Sequence, residues 1–256
     1  MRIDAIIQSC SYHDMLALTL PQNKGHFDSV TVYTKRGDEP TKQVCSRERI
    51  SCVETDRFTQ NGSKFNRGAV YNEAFQALVQ RGALHHWVCI IDSDIVLPCD
   101  FREAFEGLNP DPECFYGARR YNVETMEQYK EVQRDGQKAL DKCVCFRGYG
   151  YGYLQCFNVG SSTFIRAWNE TRGNPYLEWM DGSWADCHFR LLWGDAPWNP
   201  PTFPPDHILD HSAPEPCDPP TGLLRKLPFN VVHLGITGTN STGRHTPLWT
   251  PNPPSS

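Results

Sequence analysis

The sequence predicts an α/β protein built on a doubly wound, mostly parallel sheet, and three observations lead there. Strand-like and helix-like segments alternate over the first hundred residues, the pattern of successive βαβ units. The run Trp87-Val88-Cys89-Ile90-Ile91 is continuously apolar, as a central strand buried on both faces must be. A chain of 256 residues with 39% hydrophobic content can also bury a substantial core on its own, and no internal repeat divides it.

In chain order, Ile3–Gln8 reads as a buried strand, Asp14–Leu20 as a short helix and Ser29–Thr34 as a second strand rich in β-branched residues. A third strand around Ile50–Glu54 precedes a polar loop, Asp56–Phe65. Apolar positions then recur at helical spacing over Asn66–Leu78, and Gly82 ends that helix. The strong strand Trp87–Ile91 runs into Asp92-Ser93-Asp94 and is closed by Pro98. Phe115–Ala118 reads as a short strand, Glu124–Lys142 as an amphipathic helix and Arg147–Phe157 as a Gly/Tyr-alternating segment entering a strand. Asp186–Trp193 reads as a short helix and Val231–Gly235 as a last short strand. The Pro-rich stretch 197–220 and the tail 246–256 lack periodicity and are expected to be extended covering segments or lids over one domain, 1–245.

Composition removes several classes of function. Lys+Arg 25 against Asp+Glu 30 leaves a net charge of −5, which is not the footprint of non-specific nucleic-acid binding, although a local basic cleft stays open. The amino terminus lacks the apolar core and cleavage site of a signal peptide, and no apolar run approaches a membrane span, so a soluble cytoplasmic protein without membrane partners is expected. Eleven cysteines without any C-x-x-C spacing read as reduced thiols, with Cys52, Cys89, Cys114 and Cys156 buried in apolar segments. The sequons at Asn169 and Asn240 then carry no weight. Neither H-E-x-x-H nor H-x-E with C-x-x-C occurs, which sets aside zinc hydrolases and deaminases.

Asp-Ser-Asp at 92–94 gains meaning from its position. In a doubly wound sheet, ligands bind beyond the carboxyl ends of the strands, and two carboxylates there are hard oxygen ligands for Mg²⁺ or Mn²⁺ and, through the ion, for a diphosphate. An acidic turn after a strand is the plain alternative.

At this point the chain resembles the glycosyltransferases of the GT-A fold, in a soluble form of phage or bacterial type, which use nucleotide-sugar donors and carry a D-x-D at the end of a central strand. Four motifs in order carry the resemblance, over roughly Ile3 to Gly243. Arg67-Gly68-Ala69-Val70-Tyr71-Asn72 is similar to the basic-residue, five-later-Asn opening of the helix before that strand. Trp87 to Pro98 is similar to the strand, D-x-D, apolar, Pro segment. Trp184-Ala185-Asp186 stands where such enzymes start a helix with an acidic residue, and His233-Leu234-Gly235 resembles their late metal-binding His followed by Gly.

The resemblance implies a nucleotide-sugar-binding half, 1–120, and an acceptor-binding half, 121–245. It implies that Asp94 binds Mn²⁺ or Mg²⁺, that Asp92 contacts the donor ribose or the metal, and that His233 completes the coordination, an imidazole among oxygens suiting Mn²⁺ better. Gln8, Thr34, Arg67, Asn72, Asp92 and Ser93 are the donor-binding candidates, for a UDP-sugar foremost, with Arg67 on the nucleotide at a helix N-terminus and Asn72 holding the loop. Arg244 is placed to clamp the diphosphate from a flexible loop. Asp186 is the candidate catalytic base of an inverting transfer, with Asp181 and Asp195 as rivals, because Ala185 and Cys187 flank it where the commoner pattern has two adjacent acids. Tyr149, Tyr151 and Trp184 offer aromatic faces to an acceptor hydroxyl on a glycan, a small molecule or a hydroxymethylated DNA base. Arg119, Arg120, Lys130, Arg134, Lys138 and Lys142 form a modestly basic run that a solvated helix face explains equally well.

Two other readings compete. A nucleotidyltransferase of related fold is disfavoured because Gln8-Ser9-Cys10-Ser11-Tyr12 lacks the glycines of a phosphate loop. A catalytically silent sugar- or nucleotide-binding protein would tolerate loss of His233 and Asp186.

Overall fold

The computed structural model describes residues 1–63, 65–146, 154–178, 189–190, 192–194 and 222–235, with backbone alone at 137 and 144–146. Among them, nine strands form one sheet: β1 (Ile3–Gln8), β2 (Ser29–Lys35), β3 (Ser51–Thr55), β4 (Trp87–Asp92), β5 (Ile95–Val96), β6 (Phe115–Val123), β7 (Val144–Phe146), β8 (Leu154–Asn158) and β9 (Leu224–Leu234). Their spatial order is β3-β2-β1-β4-β8-β6-β9-β5, with β7 paired to β6 off that path. The pairs β1–β2, β1–β4, β2–β3 and β6–β9 are parallel. β8 is antiparallel to both β4 and β6, which returns β6 to the direction of β4. The carboxyl ends of β1, β2, β3, β4, β6 and β9 therefore lie along one edge, where a doubly wound sheet places its ligand.

Strand periodicity builds the two covering layers. Ile3, Ala5 and Ile7 of β1 and Trp87, Cys89 and Ile91 of β4 pack with Leu16 and Leu20 of α1 (His13–Asn23), Val44 of α2 (Glu39–Glu48) and Phe101 and Phe105 of α4 (Phe101–Gly107). The alternate positions Ile6, Val88 and Ile90 pack on the other face with Val70, Tyr71, Ala74 and Phe75 of α3 (Arg67–Gln80) and Phe164 of α7 (Ser162–Glu170). A third apolar group forms where Tyr129 of α5 (Met126–Asp135) meets Val96, Val123, Val232 and Leu234. The doubly wound α/β architecture is the one the alternation predicts.

Several elements depart from expectation for identifiable reasons. α1 runs past Leu20 through Pro21 because its last turn is held by tertiary bonds: Thr19 Oγ1 donates to the Ser93 carbonyl at 2.7 Å, and Asn23 both donates to the Ile95 carbonyl at 2.7 Å and accepts from the Leu97 N–H at 2.9 Å. α2 escapes the periodicity since only Thr41, Val44 and Cys45 are buried, although Asp38 caps it by accepting from the Thr41 N–H and Pro40 stands in its first turn. β6 continues to Val123 through Arg119-Arg120 because β9 pairs with it as far as Val123↔Leu234, and β9 is correspondingly longer than Val231–Gly235. The single helix expected over Glu124–Lys142 is two, α5 and α6 (Gln137–Leu140), separated by Gly136 at φ 57° and opened by a Thr125–Gln128 capping box. Cys89, Cys114 and Cys156 are buried free thiols as expected, whereas Cys52 is half-buried. No helix among the described residues is long and apolar enough to cross a membrane.

Candidate functional site

Gln8 and Asp92 end β1 and β4 as direct register partners, and both fall on the face that α3 covers, in phase with Ile6 and Ile90. The first residue of α3 is Arg67, brought there by the Asn66 side chain, which accepts from the Ala69 N–H at 3.0 Å and starts the helix. Gln8 Nε2 donates to the Arg67 carbonyl at 2.8 Å, and the Arg67 guanidinium donates to Asp92 at 2.5 Å and to the Tyr71 hydroxyl at 3.2 Å, lying 5.8 Å from the Tyr71 ring centre. The sequence candidates Gln8, Arg67 and Asp92 thus form one group, with the Arg67 and Asp92 side chains 16% and 21% exposed.

Asp94 belongs to a second group. β4 ends at Asp92, residues 93–94 turn, and β5 pairs antiparallel with β9 through Ile95↔His233. That turn delivers Asp94 to His233, whose Nε2 lies 3.5 Å from Asp94 Oδ2. Asp94 is 9% exposed and His233 7%, and Asp94 Oδ1 is buried without a hydrogen-bond partner among the described residues. Burial works to raise the Asp94 carboxyl, but the His233 imidazole and the Arg120 guanidinium outweigh it and hold the group below the usual carboxylate range. Arg120 is 1% exposed, and Asn122 stands directly opposite His233 in the β6–β9 register.

Other candidates are placed differently. Thr34 falls in phase with Val32 on the opposite face of the sheet, fully buried, and gives its hydroxyl to Asp38 at 3.0 Å. Asp38 also accepts from the Ser11 N–H at 2.8 Å, and although burial opposes it, these donors and Thr41 hold its carboxyl below the usual range. Asn72, 1% exposed, spends its amide on the chain: Nδ2 donates to the Tyr176 carbonyl and Oδ1 accepts from the Tyr176 N–H, both at 2.9 Å, with Glu178 Oε1 3.3 Å from Nδ2. The Asn72 amide is thus engaged by the segment 176–178. Gly68 serves the same junction, since a Cβ there would stand 1.9 Å from the Leu177 carbonyl oxygen. Ser93 is buried in the turn, its carbonyl held by Thr19. Tyr149, Tyr151, Trp184, Asp186 and Arg244, and the rivals Asp181 and Asp195, lie outside the described residues.

Among the described residues no three His, Cys, Asp or Glu side chains converge on a metal position. The expected triad is divided: Asp94 and His233 stand together, while Asp92 is engaged by Arg67. A hard divalent cation nevertheless fits Asp94 and His233, because Asp94 Oδ1 is a buried hard oxygen with no partner among the described residues and Mg²⁺ or Mn²⁺ keeps further positions for water and phosphate oxygens. Arg120 and Asn122 are the site residues missed by sequence reasoning. Sequence reasoning placed Arg120 only in a modestly basic run that a solvated helix face explains equally well, and the signal available was the polar alternation Arg120, Asn122 after a strand start at Phe115.

No family model and no curated protein matches the sequence. Solved structures with a similar chain course include glucosyl-3-phosphoglycerate synthase from Mycobacterium tuberculosis in complex with Mn²⁺, uridine diphosphate and phosphoglyceric acid, at 15% identity over 62% of this chain and 56% of that chain, TM-score 0.39. Mannosyl-3-phosphoglycerate synthase from Rubrobacter xylanophilus matches at 15% identity over 48% of this chain and 41% of that one, TM-score 0.37. 4-Diphosphocytidyl-2C-methyl-D-erythritol synthase from Anaerococcus prevotii matches at 13% identity over 73% and 84%, TM-score 0.40. The chain spans little more than half the length of the first structures it matches, 53% and 56%. These likenesses concern chain course, and the chemistry of the site rests on its own residues.

Proposed function

We propose that the protein is a metal-dependent glycosyltransferase that moves a sugar from a nucleotide diphosphate sugar, a UDP-sugar foremost, to an acceptor hydroxyl with inversion. The observation that carries the reading is the pairing, at one sheet edge, of a buried Asp94 with an orphaned oxygen beside His233 and of Asp92 with the helix-start cation Arg67. A divalent cation, when bound, offsets the charge that builds on the leaving diphosphate. In this reading Asp94 and His233 hold that ion, Gln8 and Asn66 fix the start of α3, and Arg67 presents its guanidinium with the positive helix end to phosphate. Asp186 takes the acceptor proton, Arg244 closes over the diphosphate, and Tyr149, Tyr151 and Trp184 flank an acceptor that is a glycan, a small molecule or a hydroxymethylated DNA base. The enzyme acts in the cytoplasm as a soluble protein.

The test is a thermal-shift and hydrolysis screen of UDP-, GDP-, CMP- and dTDP-sugars with and without Mn²⁺, since a ligand of the folded state raises the melting temperature by mass action. Stabilisation by one nucleotide class that requires Mn²⁺, with slow release of its diphosphate and loss of both in Asp94→Asn, is the expected result. No stabilisation by any of them with Mn²⁺ present would overturn the reading, and release of pyrophosphate from a nucleoside triphosphate would replace it with nucleotidyl transfer.

A further inference from the structure

Cys89 and Cys156 face each other at the seam of the sheet. In the strand order, β4 joins the parallel run β3-β2-β1 to β8 and the strands beyond it, and the two cysteines are direct register partners across that antiparallel β4–β8 pair. Opposed residues of an antiparallel pair stand about 4.5–5.5 Å apart at Cα, within the roughly 4.4–6.8 Å that a disulfide spans. Both side chains lie in the same apolar layer, and the Cys89 thiol donates to Cys156 Sγ at 2.9 Å. The sulfurs need to approach by less than about 1 Å to bond, with the strands left in register. The buried Cys114 is placed otherwise, its thiol 3.6 Å from the Asp111 carboxylate. The same burial keeps the facing pair as thiols. Both residues are 0% exposed, and burial, with Cys156 and the Asp4 carboxylate adding to it, holds the Cys89 thiol well above the usual thiol range. The thiolate is the attacking species in disulfide exchange, and a sulfur with no exposed surface meets an oxidant only when the pairing around it opens.

We propose that Cys89 and Cys156 are a latent cross-link of the sheet: a sealed dithiol in the folded protein, which closes to a disulfide by exchange with a small disulfide such as oxidised glutathione when the β4–β8 pairing opens and re-forms. In the opened chain the Cys89 thiolate attacks one sulfur of oxidised glutathione, forming a mixed disulfide and releasing one glutathione thiolate. The Cys156 thiolate then attacks the Cys89 sulfur, forms the protein disulfide and releases the second. The two protein thiols give up two electrons to the small disulfide, and their two protons pass to the glutathione thiolates. The bond holds β4 on β8 in native register, so the parallel run of the sheet stays joined to the strands beyond β8 when the rest of the chain opens again.

The experiment incubates the full chain with reduced and oxidised glutathione, once at its urea midpoint, where every molecule opens and refolds repeatedly, and once without urea, and maps the disulfides by mass spectrometry after acid quench and alkylation. At the midpoint the Cys89–Cys156 link is expected to accumulate. Without urea it forms at least about a thousandfold more slowly, the lower end of the folded-to-unfolded ratio of ordinary domains, while the exposed Cys99 exchanges in both conditions. Returned to buffer, the linked protein is expected to melt roughly 8–16 °C above the dithiol, because the bond ties residues 67 positions apart in the unfolded chain. Cys156→Ala, which keeps Cys89, gains no such rise from the same treatment. Wild-type protein that forms no link at the midpoint, or pairs Cys89 and Cys156 with other cysteines instead, would overturn the proposal, as would a linked protein that melts no higher than the dithiol. A Cys89–Cys156 link that forms without urea as fast as Cys99 exchanges would overturn the sealed dithiol.

Discussion

Replacing Asn72 with alanine separates a residue that holds the chain from one that touches the nucleotide. Its amide is 1% exposed and makes paired 2.9 Å bonds to the N–H and carbonyl of Tyr176. Asn72→Ala removes one side chain and strands two backbone groups that the fold keeps from water. Each stranded group costs about 1–3 kcal/mol, so the loss is about 3 kcal/mol after partial relaxation. For a chain of this length that corresponds to a melting temperature lower by roughly 6–12 °C. Urea unfolding at pH 7 and differential scanning calorimetry measure it, with hydrogen exchange at Tyr176 locating the damage. The 3.3 Å contact to Glu178 adds little, because it joins a neutral donor to a group near solvent. A variant within about 0.5 kcal/mol of the wild type, the ordinary range of a surface change, with weakened UDP binding would refute the reasoning and put the amide on the ligand.

Gly68→Ala tests the same junction from the helix side: alanine favours a helix by about 1 kcal/mol, but its Cβ meets the Leu177 backbone at 1.9 Å, so a lower melting temperature and faster proteolysis near 174–178 are expected, and an unchanged or higher melting temperature would contradict the close packing. Asp38 gives a pH signature. Its folded pKa is depressed, so its contribution is complete above the unfolded value near 3.9 and is lost as pH falls through the folded value. Urea midpoints from pH 7 to pH 2.5 should therefore fall less steeply for Asp38→Asn than for the wild type in the acid limb, with Asp38→Asn less stable at pH 7. Parallel acid limbs would remove Asp38 from the account.

What the sequence discloses and what it hides follows from how far apart the interacting residues are. β1 and β4 are legible because burial on both faces makes them apolar throughout, and the start of α3 is legible because Asn66 and the apolar spacing behind it are local signals. α2 and the second half of β6 are not, since α2 buries only three side chains and β6 carries Arg119-Arg120, whose strand conformation is imposed by β9, about a hundred residues away. Register hides the most. Two carboxylates at i and i+2 on a continuous strand share a face and read as twin ligands, but the strand stops at Asp92 and the turn at 93–94 interrupts the period. Asp92 keeps the phase of β4 and meets Arg67, while Asp94 passes to β9 and meets His233. The bonds that fix this division come from α1, where Thr19 and Asn23 hold the carbonyls of Ser93 and Ile95. A two-residue turn clamped from the opposite face thus gives two aspartates separated by a single residue different partners, an arginine at the start of α3 for one and a histidine of β9 for the other.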